Sequence, residues 1–313
     1  MINWHINIVK SIMKHPYLKM DYSQKIQAAI DPQTSSEMLN ILSSDLNVHV
    51  VCAAAKNPNL PLEKLEQLLF LCVKQEIYYS AMQNPNIQPE LLEVFSRVET
   101  ARDPKTPTET LDKFSADQNK FVRQWVAGNP NTSKETLQKL ATDDFYSVRS
   151  AVAFNSNTPV ETLDYLSRDV KRVVPWNVAN NSNTSSETLD YLANNDFVFT
   201  RWKVSENPNT SVSTLKKLSD DADERVRWGV SLNPNTPKEI LEKLANTRDD
   251  LIRSGVAHNP STSVSILEKL AMDNDGRVRW GVSLNPNTPK EVLEKIEEKG
   301  PLINDSFIYP HLK

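Results

Sequence analysis

The side chains in this 313-residue sequence whose types and spacing could do chemistry are tryptophans, arginines and aspartates set on a common grid. Trp176, Trp202, Trp228 and Trp280 share one register of a 26-residue spacing, with Ser150 and Ser254 interrupting the row and Trp125 one residue late. Tyr79 stands in the row in an earlier copy. Arg123, Arg149, Arg201, Arg227, Arg253 and Arg279 form a second row, with Pro175 in one place. Asp117, Asp143, Asp169, Asp221 and Asp273 precede that row at a fixed offset of six. Two chemistries fit these rows. Exposed, the tryptophans make an aromatic track for a peptide, a glycan or stacked bases. The neighbouring Arg201, Arg227, Arg253 and Arg279 then act as forks for carboxylates or phosphates. Turned inward, the rings close the gaps between neighbouring helices, and the Arg and Asp rows tie adjacent repeats together. On an ideal helix with Val226 and Val230 facing the core, Trp228 falls about 160° from Val230, which favours the exposed reading. Both readings stand on the sequence alone.

Other chemistry has little to build on. His5, His15, His49, His258 and His311 are dispersed, with no pair at metal-ligand spacing on one helix. Cys52 and Cys72 are the only cysteines, too few for a disulfide framework and in keeping with a reducing cytoplasm. Six glycines form no phosphate loop. The expectation is therefore no metal, no cofactor and no catalytic residue. Net charge is −4, from 36 basic and 40 acidic residues, which disfavours a nonspecific nucleic-acid binder. No apolar run approaches the roughly 18 residues that span a bilayer, and Met1 to Lys19 lacks a small-residue cleavage site.

The elements that must position the rows are read from internal repetition. Asn-Pro-Asn-Thr starts at Asn129, Asn207, Asn233 and Asn285, with variants at Asp31, Asn57, Asn84, Asp103, Asn155, Asn181 and Asn259. The spacing is 26 residues from Asp103 onward, after gaps of 26, 27 and 19. Each copy carries two helical signals. The first, Val-Arg-x-x-Val before the Asn, is read as the shorter helix, about two turns and marginal alone. The second is read as starting at Thr-Pro-x-Glu, for example Thr236 to Glu239, with the Thr hydroxyl capping and Pro in the first helical position. A Leu stands eight residues after the first motif residue in all eleven copies, from Leu39 to Leu293, and marks the buried stripe. The Asn and Thr residues are read as turn formers bonded to local backbone. Residues 1–22 are expected to form an N-terminal helical cap. The solenoid is assigned to 23–296, irregular before about 103 and regular over 103–296, with a C-terminal tail at 297–313. Between Phe95 and Asp103 one helix is largely missing, since only Ser96 to Arg102 remain, and a kink is expected there.

The pattern Val-Arg-x-x-Val-Ala-x-Asn-Pro-x-Thr-Pro-x-x-x-Leu-x-x-Leu-Ala-x-Asp resembles the leucine-rich repeat variant family. It is clearest over Val122–Asp143, Val148–Asp169 and Val226–Thr247, where Thr247 departs at the final Asp. The Asp-then-Val-Arg element also resembles HEAT repeats. The resemblance implies an all-α, right-handed α-α superhelix of about eleven 26-residue repeats, each with a short and a longer helix. It implies a scaffold rather than a reaction. Some members carry an iron–sulfur cluster on N-terminal cysteines that this chain lacks. The expected function is non-catalytic protein–protein interaction by a monomeric cytoplasmic scaffold, with an unidentified protein or peptide as partner and no membrane. The HEAT-like character leaves two alternatives: a nucleic-acid-binding protein or DNA glycosylase, and an accessory or regulatory subunit of another enzyme.

Overall fold

The computed structural model describes residues 16–71, 75–87 and 89–298. Among the described residues every regular element is helical: a 3₁₀ turn at Pro16–Lys19, then α-helices from Tyr22–Ile30 to Lys290–Glu298. None is long and apolar enough to cross a membrane. The chain forms two compact units. One holds residues up to Thr106 together with Ala116–Trp125; the other holds Pro107–Ser115 and everything from Val126.

The second unit is an α-helical solenoid. Seven-residue helices such as Val212–Leu218 and Lys238–Leu244 alternate with nine-residue helices such as Val198–Glu206 and Glu224–Leu232. The lengths thus run opposite to the sequence expectation: the Val-Arg helix is the longer. It carries on to the Asn of the turn, while the Leu helix ends at its last Leu, three residues before the Asp of the next turn. The most extensive helix–helix contacts join successive Val-Arg helices. Small residues permit that approach. A Cβ on Gly229 would sit 2.0 Å from Ser205 Oγ, and one on Gly255 would sit 1.9 Å from Ser231 Oγ. The core is a column of Val and Leu, including Val226, Val230, Leu241 and Leu244 in one repeat and Ile252, Val256, Leu267 and Leu270 in the next.

Hydrogen-bond ladders hold the repeats in register. The side-chain amide of Asn233 donates to the carbonyls of Ser205 (2.8 Å) and Asn207 (2.9 Å), while its own oxygen accepts from the Asn235 N–H (3.0 Å). Ser205 O belongs to the last turn of the preceding Val-Arg helix, where carbonyls have no intrahelical partner. Asn155, Asn181, Asn207, Asn259 and Asn285 repeat the arrangement. These asparagines are therefore more than local turn formers: each satisfies two buried carbonyls of the previous repeat. A second ladder joins some Leu helices, with Thr188 donating to Asp164 (3.2 Å) and Thr214 to Asp190 (2.5 Å).

The capping expectation is corrected. Thr236 does not cap the Leu helix; it is buried, and its hydroxyl donates to Val230 O at 2.6 Å, closing the end of its own Val-Arg helix. Pro237 is the N-cap of Lys238–Leu244 and offers no side-chain bond, as do Pro107 and Pro159 elsewhere. Where Ser replaces Pro, the hydroxyl caps the helix at Ser35, Ser133, Ser185 and Ser211, which accepts from the Thr214 N–H, but not at Ser263.

The first unit departs from the pattern. Residues 89–102 form one continuous helix, Pro89–Arg102, across the stretch where the sequence shows one helix largely missing. It buries Leu91, Val98 and Ala101, and Leu92, at the expected core position, is 42% exposed. At the unit's start, Tyr17 and Lys25 both donate to Asp45, and Lys25 lies 4.3 Å from the centre of the Tyr17 ring. Residues 1–15 of the expected cap and 299–313 of the expected tail lie outside the described residues; residues 297 and 298 still belong to the last helix.

Candidate interaction surface

The arginine row is built into the turns of the solenoid. In the second unit Arg201 donates through Nη1 to Asn195 O (2.9 Å), six residues back. Its Nε and Nη2 hold the carboxylate of Asp221 at 2.7 and 3.0 Å, in the next turn. Arg149 with Asp169, and Arg253 with Asp273, have the same geometry. Asp221 thus offers its backbone to Arg227 and its carboxylate to Arg201 of the repeat before, and Asp273 does the same for Arg279 and Arg253. Both partners of the Arg201 pair respond. The hydrogen bonds that Arg201 donates to Asp221 raise the guanidinium pKa. Burial pushes the Asp221 carboxyl up, but the bonds from Arg201 and the Asp223 N–H outweigh it and hold the group below its ordinary value. Of the candidate arginines, Arg201 and Arg253 complete such clamps. Arg227 and Arg279 keep the backbone bonds, to Asp221 O (2.7 Å) and Asp273 O (2.8 Å) respectively.

All four candidate tryptophans are half-buried. Trp202 and Trp228 come together, with ring centres 6.3 Å apart and planes tilted by 37°. Each also lies against the next Val-Arg helix: Trp202 Cδ1 is 3.1 Å from where a Cβ on Gly229 would be, and Trp228 Cδ1 is 3.3 Å from that of Gly255. One ring edge therefore packs between repeats, and the Trp202 Nε1 is buried with no hydrogen-bond partner. Trp176 and Trp280 do not join this pair. Where Ser254 replaces a Trp, His258 fills the space, its Nδ1 2.8 Å from Ser254 O and its ring edge-on to Trp280 at 5.2 Å. In the first unit, Trp125 donates to Phe70 O at 2.8 Å and stacks beneath Arg102.

The row leads to a surface the sequence reading did not single out, at the N-terminal ends of the Val-Arg helices between Phe145 and Arg225. Phe199 lies 6.3 Å from Trp202 and 5.2 Å from Phe197. Cations cover the rings: Arg225 over Phe199 at 4.7 Å, Arg172 over Phe197 at 5.4 Å, Lys203 over Trp202 at 4.8 Å and Lys171 over Tyr146 at 5.9 Å. Arg172, Arg225 and Lys171 each belong to a different repeat from the ring they cover, so the run draws on four successive repeats. Val170 is 88% and Phe145 43% exposed. The available signal was the N-cap residue. Asp223, Asp249 and Asp275 cap their helices by accepting backbone N–H groups, whereas the N-caps Phe145, Phe197 and Arg172, the last one residue late in the register, make no side-chain cap bond.

Among the described residues no group of His, Cys, Asp and Glu is placed to hold a metal ion. No family model and no curated protein sequence matches the chain. Among solved structures, it is similar to a leucine-rich repeat variant with a repetitive structural motif, at 23% identity over 66% of this chain and 79% of that one, with a TM-score of 0.34. It is also similar to an engineered protein at 16% identity, over 87% of this chain and 90% of the other, TM-score 0.37. A second engineered protein shares 15% identity over 85% and 97%, with a TM-score of 0.22. A leucine-rich repeat variant, the family that the repeat motif resembles, is thus among the similar solved structures.

Proposed function

We propose that this chain is a non-catalytic scaffold that binds another protein through the aromatic and cationic edge between Phe145 and Trp228. One observation carries the reading. Three successive Val-Arg helices, Tyr146–Phe154, Val173–Asn180 and Val198–Glu206, have given up the side-chain cap that later copies keep. An Asp or Asn there stabilises a helix by about 0.5–2 kcal/mol, so a Phe in its place acts against stability. Its ring, partly open to water and adjoining Arg and Lys, suits an apolar contact ringed by polar ones, the usual composition of a protein interface. Aromatic and Arg side chains also dominate the binding energy of such surfaces.

Restoring the cap separates fold from function. Phe145→Asn and Phe197→Asp should each raise stability by about 0.5–2 kcal/mol in chemical denaturation. The double variant should recover far less of the protein partner than the parent does, in quantitative mass spectrometry of material retained from the native host. Equal recovery by a stabilised double variant would remove this edge from consideration.

A further inference from the structure

We propose that Arg227 forms a carboxylate slot, a rung of the arginine ladder whose acid must be supplied by a bound peptide. The inference rests on the protein-binding reading above for its occupant, but the slot itself is defined by comparison with sibling rungs in the same unit. Arg149, Arg201 and Arg253 each use Nη1 on the backbone of their own turn, and Nε with Nη2 on the two oxygens of an Asp twenty residues later. Arg227 has the same pose. Its Nη1 donates to Asp221 O at 2.7 Å and Ala222 O at 3.0 Å, as Arg149 donates to Asp143 O at 2.7 Å and Asp144 O at 3.2 Å. Twenty residues on stands Thr247, and Arg227 makes no ion pair among the described residues.

The backbone of the receiving turn has not moved to compensate. Thr247 N donates to Leu244 O at 3.2 Å, against 3.1 Å for Asp221 N to Leu218 O. Thr247 O accepts from Arg253 at 3.0 Å, as its counterparts accept from their own arginines. Only the carboxylate is missing, because the Thr247 hydroxyl turns back to Leu244 O at 2.9 Å. In the two flanking turns, Asp221 holds Arg201, Asp223 holds Arg225, and Asp249 accepts from the N–H groups of Leu251 and Ile252. Two parallel N–H donors on a planar guanidinium match the two oxygens of a carboxylate, the group that fills the sibling rungs. The residue adjoins Trp228, so a peptide lying on the aromatic edge could place an Asp or Glu side chain here.

Acetate is the simplest probe. In the purified parent chain, the Arg227 Nε–H resonance, assigned with Arg227→Gln, should shift saturably on titration with sodium acetate at constant ionic strength. Thr247→Asp should supply the missing acid internally. Its Arg227 resonance should start near the acetate-bound position and ignore acetate, and the variant should melt at a higher temperature than the parent. A parallel titration with inorganic phosphate distinguishes a general oxyanion site, which phosphate would fill at least as well, from the carboxylate slot proposed. No saturable shift, the same shift in Thr247→Asp, or a lower melting temperature for that variant would overturn the proposal. The experiment contains no protein partner, so its failure leaves the scaffold reading to its own test.

Discussion

From Asn129 to Asn285 the turn motif returns every 26 residues, whereas from Asn57 to Asp103 it returns after 27 and then 19. From Asn155 to Asn285 each repeat builds the same bonds: the Asn amide spans two carbonyls of the previous repeat, and the Thr hydroxyl closes its own helix. The irregular stretch keeps some of this. Asn84 still donates to Ala55 O and Asn57 O, both at 2.8 Å, so the ladder absorbs one extra residue. The shorter gap is met differently. Over the seven residues lost relative to 26, a single helix, Pro89–Arg102, stands in place of two. The fused helix is set by Leu91, Val98 and Ala101, which rotates Leu92 outward. Repetition in sequence therefore predicts burial only where the inter-repeat bonds hold each helix to the same rotation.

Three perturbations probe that contrast. The largest effect is expected from Asn233→Ala, which leaves Ser205 O buried without its donor and takes from Asn207 O one of its two donors, the Thr210 N–H remaining. At about 1–3 kcal/mol for the stranded acceptor and about 0.5–1.5 kcal/mol for each of the two other bonds lost, to Asn207 O and from the Asn235 N–H, the loss should reach roughly 2–6 kcal/mol in chemical denaturation. A cost under about 0.5 kcal/mol, the ordinary size of a surface change, would show that the ladder does not hold the repeats. Next in size is the pair Leu241→Ala and Leu92→Ala. These residues share a motif position, but Leu241 is fully buried and Leu92 is not. The first should cost about 2–5 kcal/mol and the second under about 1 kcal/mol; equal losses would mean that the fused helix buries the stripe read from sequence.

The smallest effect is acid sensitivity in the Arg201–Asp221 clamp. The folded Asp221 pKa lies below its ordinary value. Such a group gives its full stabilisation above the unfolded carboxyl pKa of about 4, and loses it as pH falls through the folded value. Arg201→Gln removes the charged hydrogen-bond donor. The parent should therefore lose more melting temperature than this variant as pH is lowered below about 4, and parallel acid limbs would show that the pair adds nothing.

Much of the candidate surface was legible only in part. The Trp and Arg rows stood out because they recur on the grid, yet recurrence could not separate an outward row from one wedged between helices. Angles on one isolated helix placed Trp228 away from Val226 and Val230, and they took no account of the next helix, whose Gly255 lets the Trp ring lie against it. The edge at Phe145 and Phe197 was harder to read because its signal is a departure from the repeat. An Asp or Asn is absent where three later turns have Asp, and the meaning of that absence needs the N-cap position to be known.

What the sequence determined by itself is periodic: an all-helical repeat chain, the spacing of its turns, and the Leu and Val stripes that must face inward, because apolar side chains at helical spacing leave water together. Tertiary structure decided everything that depends on a residue 20 to 28 positions away. It gave the asparagine amides to the previous turn's carbonyls and the aspartates to the previous repeat's arginines, and it drew Thr236 from the Leu helix to Val230 O. Hydrogen bonds are directional and short, so their partners are fixed only once neighbouring repeats have stacked; hydrophobic burial is non-directional, and its pattern can be read along the chain.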